Sequence, residues 1–214
     1  MRVALRLAAR AVGDTSPNPA VGAVMVKGGR IVGRGYHRGA GLPHAEVEAL
    51  RQAGRKARGS TMYVTLEPCD HVGRTPPCCD ALIAAGITRV VAAMKDPNPI
   101  TNGRGIEHLR RAGITVATGV LANEARRLNA PFVKAMTAQV PWVMAKVAQS
   151  LDGKIATATG EARWISSRLS RQLAHELRRE VDAILVGVNT VRADDPSLSV
   201  RTARRSRRRD RPLR

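Results

Sequence analysis

The stretch AVGAVMVKGGRIVGRGY, residues 20–36, holds two runs rich in valine and isoleucine that are separated by the turn sequence KGG. Short apolar runs joined by glycines are typical of a β-hairpin, because glycine adopts the positive φ angles of tight turns. We therefore predict strands at 20–26 and 30–36. Upstream, residues 2–12 have a helix-compatible pattern that ends at Gly13. The fold thus begins with a helix and a hairpin.

Downstream of the hairpin, strand-like apolar segments alternate with helix-like segments that end in glycine. The pattern predicts strands at 61–66, 89–94 and 114–119, and helices at 44–54, 79–86 and 106–113. The order β-β-α-β-α-β-α-β is that of an α/β sandwich, in which helices cover a sheet. Residues 121–138, with Pro131 inside, are interpreted as helix and connector.

A second series of elements begins at Pro141. The segment WVMAKVAQS predicts a strand, residues 167–181 a helix and residues 182–191 another strand. Two strands are too few to bury both faces of a parallel sheet, so a complete second domain does not fit. The predicted ranges are 1–140 for the first domain, 141–201 for a partial domain and 202–214 for a basic tail.

The composition excludes several classes of protein. Of the 214 residues, 43% are hydrophobic, which is enough for a core, whereas 2% are aromatic, which leaves few stacking surfaces for single-stranded nucleic acid. No apolar run reaches the length of a membrane span, and Arg6 and Arg10 interrupt the apolar positions that a signal peptide needs. We therefore expect a cytoplasmic protein with no membrane partner.

Positive charge is concentrated at the end of the chain. The formal net charge is +19, and residues 201–214 hold eight arginines against one aspartate. Such a run cannot bury a core, so we expect a disordered tail. An arm that binds polyanions is the alternative interpretation.

The three cysteines, Cys69, Cys78 and Cys79, are close together in a chain without a secretion signal, which favours metal binding or catalysis over disulfides. With His44, two thiolates make a tetrahedral zinc site whose fourth position is open to water, and zinc makes water acidic enough to supply hydroxide. Glu46, two residues after His44, is placed to move protons from water to a ring nitrogen and then to departing ammonia. The sequence therefore predicts a hydrolytic zinc enzyme.

The spacing departs from the deaminase pattern H-x-E…P-C-x-x-C, because Cys69 and Cys78 are nine apart rather than three. We prefer Cys78 to Cys79 as the second sulfur ligand, since Cys78 directly follows a proline, as Cys69 does. The intervening loop places Arg74 beside the metal, where it can contact an anionic group of a substrate. The alternative is a closed structural site completed by Cys79 or His71, although we expect His71 to be a loop residue.

Four stretches carry a specific resemblance: TSPNPAVGAV (15–24), HAEVEAL (44–50), TLEPCDHVGRTPPC (65–78) and KDPNP (95–99). Together they resemble the deaminase domain of the bifunctional riboflavin-biosynthesis deaminase/reductases. The resemblance implies a cytidine-deaminase-like three-layer α/β/α sandwich with a mixed sheet. It also implies hydrolytic deamination of 2,5-diamino-6-ribosylamino-4(3H)-pyrimidinone 5′-phosphate, whose 2-amino group is replaced by oxygen.

The resemblance assigns a role to each candidate residue of this domain. The implied zinc ligands and proton shuttle are His44, Cys69, Cys78 and Glu46. The residues implied to contact the pyrimidine are Asn18 and His37, and those implied to hold the ribose phosphate are Arg74, Asp96 and Asn98. Simpler interpretations are a turn residue at Asn18, a surface residue at His37, a solvated charge at Arg74 and an Asx-turn at Asp96.

The second segment resembles the start of the family's reductase domain, which is related to dihydrofolate reductase, through AKVAQSLDGKIA, GEARWIS, GVNTV and ADDPSLSVR. That domain reduces the ribosyl chain to ribityl with NADPH. The implied nucleotide contacts are Ala148, Trp164, Thr190 and Asp194, and the implied substrate contacts are Arg178, Leu198 and Arg201. Two departures, Ala162 in place of a usual serine and the loss of the pattern after Arg201, predict a truncated or frame-shifted chain whose reductase half cannot close its sheet.

The leading hypothesis is therefore a zinc-dependent deaminase of a phosphorylated aminopyrimidine. Two alternatives stay open: a nucleic-acid-binding or base-modifying deaminase that uses the basic tail, and an inactive zinc-stabilised fragment. We do not expect nucleic acid as a partner, since only the tail supports it. Members of the family assemble, so a homo-oligomer is a partner that the resemblance allows.

Overall fold

The computed structural model describes residues 1–73 and 75–201. The chain divides into two compact units, Met1–Trp142 and Val143–Arg214, each with its own internal contacts. This division falls close to the boundary predicted at residue 140. The predictions for Arg74 and for the tail after residue 201 lie outside the described residues.

A five-stranded sheet forms the centre of the first unit. Its strands are β1 (Gly22–Lys27), β2 (Arg30–Tyr36), β3 (Thr61–Val64), β4 (Arg89–Ala92) and β5 (Thr115–Thr118). The spatial order is β2-β1-β3-β4-β5, with β1 antiparallel to both neighbours and with β3, β4 and β5 parallel. The five strands predicted for this part of the chain are therefore confirmed, and the sheet is mixed.

Helices accompany the sheet at each of the predicted positions. They are α1 (Arg2–Ala9), α2 (Ala45–Ala53), α3 (Cys78–Ala84), α4 (Arg104–Arg111), α5 (Ala122–Leu128) and α6 (Ala130–Ala138). The predicted segment 121–138 is divided into α5 and α6 at Asn129. The side chain of Asn129 exchanges two hydrogen bonds with the backbone of Ala20, which fixes the start of the hairpin.

The register of the hairpin places helices on both faces of the sheet. A Cβ atom at Gly22 would lie 2.1 Å from the carbonyl oxygen of Ala4 in α1, and one at Gly35 would lie 2.1 Å from that of Ala45 in α2. Gly22 pairs with Tyr36, so these two residues share a face of the sheet, and Gly35, the neighbour of Tyr36, lies on the opposite face. Helix α3 contacts α2 and α4, whereas α5 contacts α1. The sheet thus lies between two helical layers, as the three-layer sandwich requires.

The core of this unit is aliphatic, as the scarcity of aromatic residues requires. The fully buried side chains include Met25, Met62, Val64, Leu82 and Val90. Where α2 packs on β2, alanines and backbone of the helix meet the glycines of the strand, so the helix lies close to the sheet. This close contact fixes the N-terminal turn of α2, which carries His44 and Glu46.

The second unit contains no strand among residues 143–201. Helix α7 (Arg168–Glu180) lies at the predicted position, and α8 spans Val188–Asp194. The strands predicted at 142–150 and 182–191 are wrong: the first segment is irregular, and the second runs into α8. A strand requires a partner for its backbone hydrogen bonds, and the described residues of this unit supply none. Across the described chain, we find no helix with the length and apolar character needed to span a membrane.

Candidate metal centre and active-site cleft

Three metal-binding side chains converge at the start of two helices. His44 is the N-cap residue of α2, Cys78 is the first residue of α3, and Cys69 lies in the loop after β3. His44 Nδ1 lies 3.2 Å from Cys78 Sγ and 3.5 Å from Cys69 Sγ, and the three ligand atoms lie within 4.8 Å of one another. The backbone N–H of Cys78 donates to Cys69 Sγ at 3.3 Å. The structure thus brings together the nitrogen and the two sulfurs that the sequence singled out.

Hydrogen bonds within this group favour a thiolate at Cys69. A hydrogen bond from the thiol of Cys78 lowers the pKa of Cys69 to about 4, against the effect of burial and with help from His44. The same bond, followed by burial, raises the pKa of Cys78, and the bond with Cys69 raises the pKa of His44. Two sulfurs and one imidazole are the donor types that Zn²⁺ prefers, and three protein ligands are the number found in catalytic zinc sites. The residues present therefore fit zinc.

Thr75 sets the orientation of the histidine. Its Oγ1 lies 3.4 Å from His44 Nε2, so that Nε2–H can donate to the hydroxyl. Nδ1, which lies beside the two sulfurs, then keeps its lone pair for a metal. Thr75 was not selected from the sequence, where its place in the loop between the two cysteines was the only signal.

Glu46 is the acid–base candidate of the site. It is the second residue of α2 and is buried, with 3% of its surface exposed. Burial, and then the negative charge of Cys69, raise the pKa of Glu46 to about 7. A carboxyl group with a pKa near neutrality can both accept and release a proton at physiological pH.

Cys79, the alternative sulfur ligand, lies outside this group. Its thiol donates to the carbonyl oxygens of Pro68 and Gly105 at 3.5 and 3.6 Å, and burial raises its pKa. Its sulfur lies near Asp70 and His108, whose side chains form a hydrogen bond with each other. Cys79 is thus a packed thiol in the structure.

His71, the other candidate for a fourth ligand, contacts a different residue. Its Nδ1 lies 3.3 Å from Thr101 Oγ1. Within residues 1–73 and 75–201, neither His71 nor any other side chain joins the three ligands to complete a closed site. His44 and Cys69 instead line a cleft, from which a ligand that is not part of the protein can approach.

A cleft of about 360 Å³ lies beside the metal-binding group, a size typical of small-molecule sites. The residues that line it and that the sequence analysis selected are Asn18, His37, His44, Glu46, Cys69, Asp96 and Asn98. The cleft is also lined by Glu67, by Thr75 and by Phe132 of α6, which the sequence analysis did not select. Residues from distant parts of the chain therefore share one cavity.

His37 is neutral and orients Asn18. Burial lowers the pKa of His37, whose Nδ1–H donates to Pro43 O at 3.2 Å. Nε2 then accepts from Asn18 Nδ2 at 3.1 Å. Asn18 Oδ1 takes no part in this bond and is therefore placed to accept from an N–H group in the cleft. His37 is 2% exposed, which contradicts its interpretation as a surface residue.

Asp96 and Asn98 form a turn at the wall of the cleft. Asp96 Oδ1 accepts from the N–H of Asn98 at 2.9 Å, and Asn98 Oδ1 accepts from the N–H of Ile100 at 3.1 Å. Burial raises the pKa of Asp96. The Asx-turn interpretation of Asp96 is therefore right, and it is compatible with a position in the cleft.

Glu67 is a buried acid that the sequence analysis did not select. Its carboxylate accepts from the backbone N–H groups of Asp96, Gly103 and Ile106. The available signal was an acidic residue inside the stretch TLEP, between an apolar strand and a predicted metal ligand. Glu67 connects the loop after β3 to the loop that carries Asp96.

The residues predicted to contact NADPH are distributed over the second unit. Trp164 is 71% exposed, and the guanidinium carbon of Arg171 lies 4.3 Å from the centre of its ring. Thr190 and Asp194 lie exposed on α8, and Ala148 is partly buried in an irregular segment. Their role as a nucleotide site stays a prediction.

The residues predicted to contact the reductase substrate lie at the end of the same unit. Arg178 Nη1 donates to Ser197 O at 3.4 Å, and the N–H of Arg201 donates to His175 Nδ1 at 3.3 Å. Leu198 lies between Ser197 and Arg201 along the chain and is partly buried. These bonds connect α7 to residues 197–201 but do not test the predicted role.

Comparison with known families places both halves of the chain. Residues 1–94 match the family described as the cytidine and deoxycytidylate deaminase zinc-binding region, and residues 141–214 match the RibD C-terminal domain. The chain is 60% identical over 201 residues to the riboflavin biosynthesis protein RibD of Aquifex aeolicus, covering 94% of this chain and 56% of the relative. It is 56% identical to RibD of Escherichia coli, covering 94% of this chain and 55% of the relative.

Solved structures give the same result. Acinetobacter baumannii RibD, form 1, matches with a TM-score of 0.90 and 49% identity, over 94% of this chain and 56% of that one. The diaminohydroxyphosphoribosylaminopyrimidine deaminase/5-amino-6-(5-phosphoribosylamino)uracil reductase of Thermotoga maritima matches with a TM-score of 0.90 and 46% identity, over 95% of this chain and 58% of that one. The chain spans just over half the length of the relatives it matches. Both halves of the chain therefore match riboflavin biosynthesis proteins of the RibD type.

Proposed function

We propose that the first unit is a zinc-dependent hydrolytic deaminase of 2,5-diamino-6-ribosylamino-4(3H)-pyrimidinone 5′-phosphate. The observation that carries the proposal is the convergence of His44, Cys69 and Cys78 beside a cleft that the buried Glu46 also lines. The printed name of the Thermotoga maritima relative describes a deaminase of a phosphoribosylaminopyrimidine, which supports this substrate class.

The three ligands and the acid have separate tasks in this proposal. His44, Cys69 and Cys78 hold the zinc, and Thr75 keeps His44 Nδ1 directed toward it. When bound, zinc lowers the pKa of water toward neutrality and so supplies hydroxide for attack on the carbon that bears the 2-amino group. Glu46 accepts one proton of that water and transfers it to the adjacent ring nitrogen; it then takes the remaining proton of the attacking oxygen and donates it to the 2-amino group, which leaves as ammonia while the carbonyl forms.

The wall of the cleft supplies substrate recognition. Asn18 presents a free carbonyl oxygen to an N–H group of the pyrimidine, and the neutral His37 holds it in place. Asp96 and Asn98 are proposed to hold the ribose phosphate, as the resemblance implies. Arg74, proposed for the same group, lies outside the described residues.

For the second unit, the NADPH-dependent reduction that the family name implies stays a prediction. Residues 143–201 contain no strand, so they do not form the sheet on which the cofactor of a dihydrofolate-reductase-like domain lies. We therefore propose no reductase activity for these residues. A cytoplasmic location and a homo-oligomer likewise stay predictions.

A nucleic-acid substrate is not proposed. The only feature that favoured it is the arginine-rich tail, which lies outside the described residues. Among the described residues, the cleft is lined by one aromatic side chain besides its histidines, that of Phe132, which offers little stacking surface for a polynucleotide.

The proposal is tested by measuring zinc content and ammonia release on the intact chain. We expect about one zinc per chain and release of ammonia from the aminopyrimidine nucleotide. Cys78→Ala is expected to lose the zinc and the activity, whereas Cys79→Ala keeps both, because of these two sulfurs it is that of Cys78 that lies beside His44. Retention of zinc by Cys78→Ala together with its loss from Cys79→Ala would show that the ligand assignment is wrong.

A further inference from the structure

We propose that Glu67 is a positioning residue for substrate binding: its carboxylate caps helix α4 from a distant loop and thereby fixes the turn of Asp96 and Asn98 on the wall of the cleft. This inference rests on the proposed deaminase function, because that function assigns the turn to the ribose phosphate of the substrate.

Both oxygens of the Glu67 carboxylate accept hydrogen bonds from backbone donors. Its Oε2 accepts from the N–H groups of Asp96 at 3.1 Å and Gly103 at 2.9 Å, and its Oε1 accepts from that of Ile106 at 3.2 Å. The residue is 3% exposed. A buried carboxylate that satisfies three N–H groups holds them in one arrangement, because each group would otherwise be left without a partner.

Helix α4 needs this external cap. The N-cap residue of α4 is Gly103, which has a φ of 87° and no side chain to accept from the first turn of the helix. The first N–H groups of a helix have no partner within the helix, and an anion at this end also interacts favourably with the helix dipole. Glu67, which is 39 residues before Ile106, supplies the acceptor that Gly103 lacks.

The same carboxylate reaches the substrate-binding turn. Its bond to the N–H of Asp96 holds the residue whose side chain accepts from Asn98, and the N–H of Glu67 itself donates to Met94 O at 3.0 Å. Asp96 and Asn98 both line the cleft. None of the three bonds of the Glu67 carboxylate involves a metal ligand. Glu67 is therefore expected to act on nucleotide binding rather than on zinc.

The test compares Glu67→Gln with Glu107→Gln in the full chain. Glutamine keeps one acceptor oxygen and places an NH₂ group against a backbone donor, so the anchor is weakened without a change of size. Glu107 is exposed in the first turn of α4, so its substitution removes the same charge from the same helix end without touching the turn. For Glu67→Gln we expect a KM about tenfold higher, a kcat within about threefold and unchanged zinc content. Glu107→Gln is expected to resemble the wild type.

Two further readouts separate positioning from a general loss of structure. For the nucleoside without its 5′-phosphate, the wild type and Glu67→Gln should have the same KM, since the turn is assigned to the ribose phosphate. Amide hydrogen exchange at Asp96, Gly103 and Ile106 should accelerate in Glu67→Gln, with no change in β1. If Glu67→Gln does not fold, Glu67→Asp keeps the charge, shortens the reach and should raise KM in the same direction.

A fall in kcat at unchanged KM, a loss of zinc, an equal rise in KM for nucleotide and nucleoside, or unchanged exchange at the three amides would overturn the proposal. A wild type that releases no ammonia contradicts the proposed function instead. The exchange measurement still decides, in that case, whether Glu67 anchors the turn.

Discussion

The two units of the chain use their apolar residues differently. In the first unit, five strands pair with one another and side chains such as Met25 and Val64 are fully buried between the helical layers. In the second unit, α7 and α8 form, but Leu151 and Leu185 remain almost fully exposed in irregular segments. Helices form from local sequence in both units, whereas strands form only where the described residues include a partner. We accordingly assign the proposed chemistry to the unit that contains the paired sheet.

The largest expected effect tests whether activity belongs to the first unit alone. Glu46→Gln removes the group that moves protons, so turnover should fall by about 10²- to 10⁴-fold. Zinc content should not change, because Glu46 is not one of the three ligands. Ammonia release and metal analysis on the same preparation check both expectations.

Two control variants define this comparison. Glu48→Gln changes a residue on the same helix as Glu46, and the Glu48 carboxylate pairs with Arg38 and Arg51 and does not line the cleft. Arg178→Ala removes a side chain of α7 in the second unit that donates to Ser197 O. Both should keep wild-type ammonia release. An Arg178→Ala variant as impaired as Glu46→Gln would contradict the assignment of the deaminase to the first unit.

The next largest effect contrasts one glycine from each unit. A Cβ at Gly35 would lie 2.1 Å from Ala45 O, so Gly35→Ala must push α2 away from the sheet and should destabilise the first unit by about 2–3 kcal/mol. The displacement also moves His44, and zinc affinity should fall. A Cβ at Gly187 meets nothing closer than 3.9 Å, so Gly187→Ala should change stability by less than about 1 kcal/mol. Urea denaturation measures the stability of each variant, and zinc release measures its affinity for the metal. Equal losses of stability in Gly35→Ala and Gly187→Ala would show that close packing does not distinguish the units.

The same contrast explains what the sequence could predict. The hairpin, the helices and the predicted ligand set are local patterns. The proline before Cys78 favoured it over Cys79, and the structure places the Cys78 sulfur beside His44. The strands predicted at 142–150 and 182–191 failed because an apolar run does not reveal whether a partner strand will pair with it. Glu67 was missed for a related reason, since its partners are up to 39 residues away. Non-local hydrogen bonds leave no spacing pattern in the sequence.

A smaller effect is expected in the pH dependence of stability. Burial lowers the pKa of His37 in the folded protein, so below about pH 6.5 the unfolded chain binds a proton that the folded chain does not. The contribution of His37 to stability therefore falls as the pH decreases through this value. In His37→Gln this loss is absent, so the stability difference between the wild type and the variant should narrow from pH 7.5 to about pH 5.5.

The quantity to measure is the difference in unfolding free energy between the wild type and His37→Gln at each pH. Burial raises the pKa values of Glu46 and Asp96, so their contributions to stability change with pH in the direction opposite to that of His37, and they cancel in this difference. Burial also lowers the pKa of His175 in the second unit, but this residue is less deeply buried. His175→Gln should therefore change the pH dependence less than His37→Gln. A constant difference between the wild type and His37→Gln at all pH values would show that His37 does not titrate on unfolding.

The smallest expected effects come from breaking ion pairs. Here the larger loss of stability is expected in the second unit and not in the first. In the first unit, Glu48 pairs with Arg51 at 3.0 Å, but the arginine side chain is 64% exposed, so Glu48→Gln should cost about 0.5 kcal/mol or less. In the second unit, Glu176 pairs at 3.2 Å with Arg179, whose side chain is 8% exposed. Glu176→Gln weakens the compensation of a buried guanidinium and should cost about 1 kcal/mol, measured as faster amide exchange in α7. A larger effect at Glu48 than at Glu176 would mean that the burial of Arg179 does not make its ion pair more important for stability.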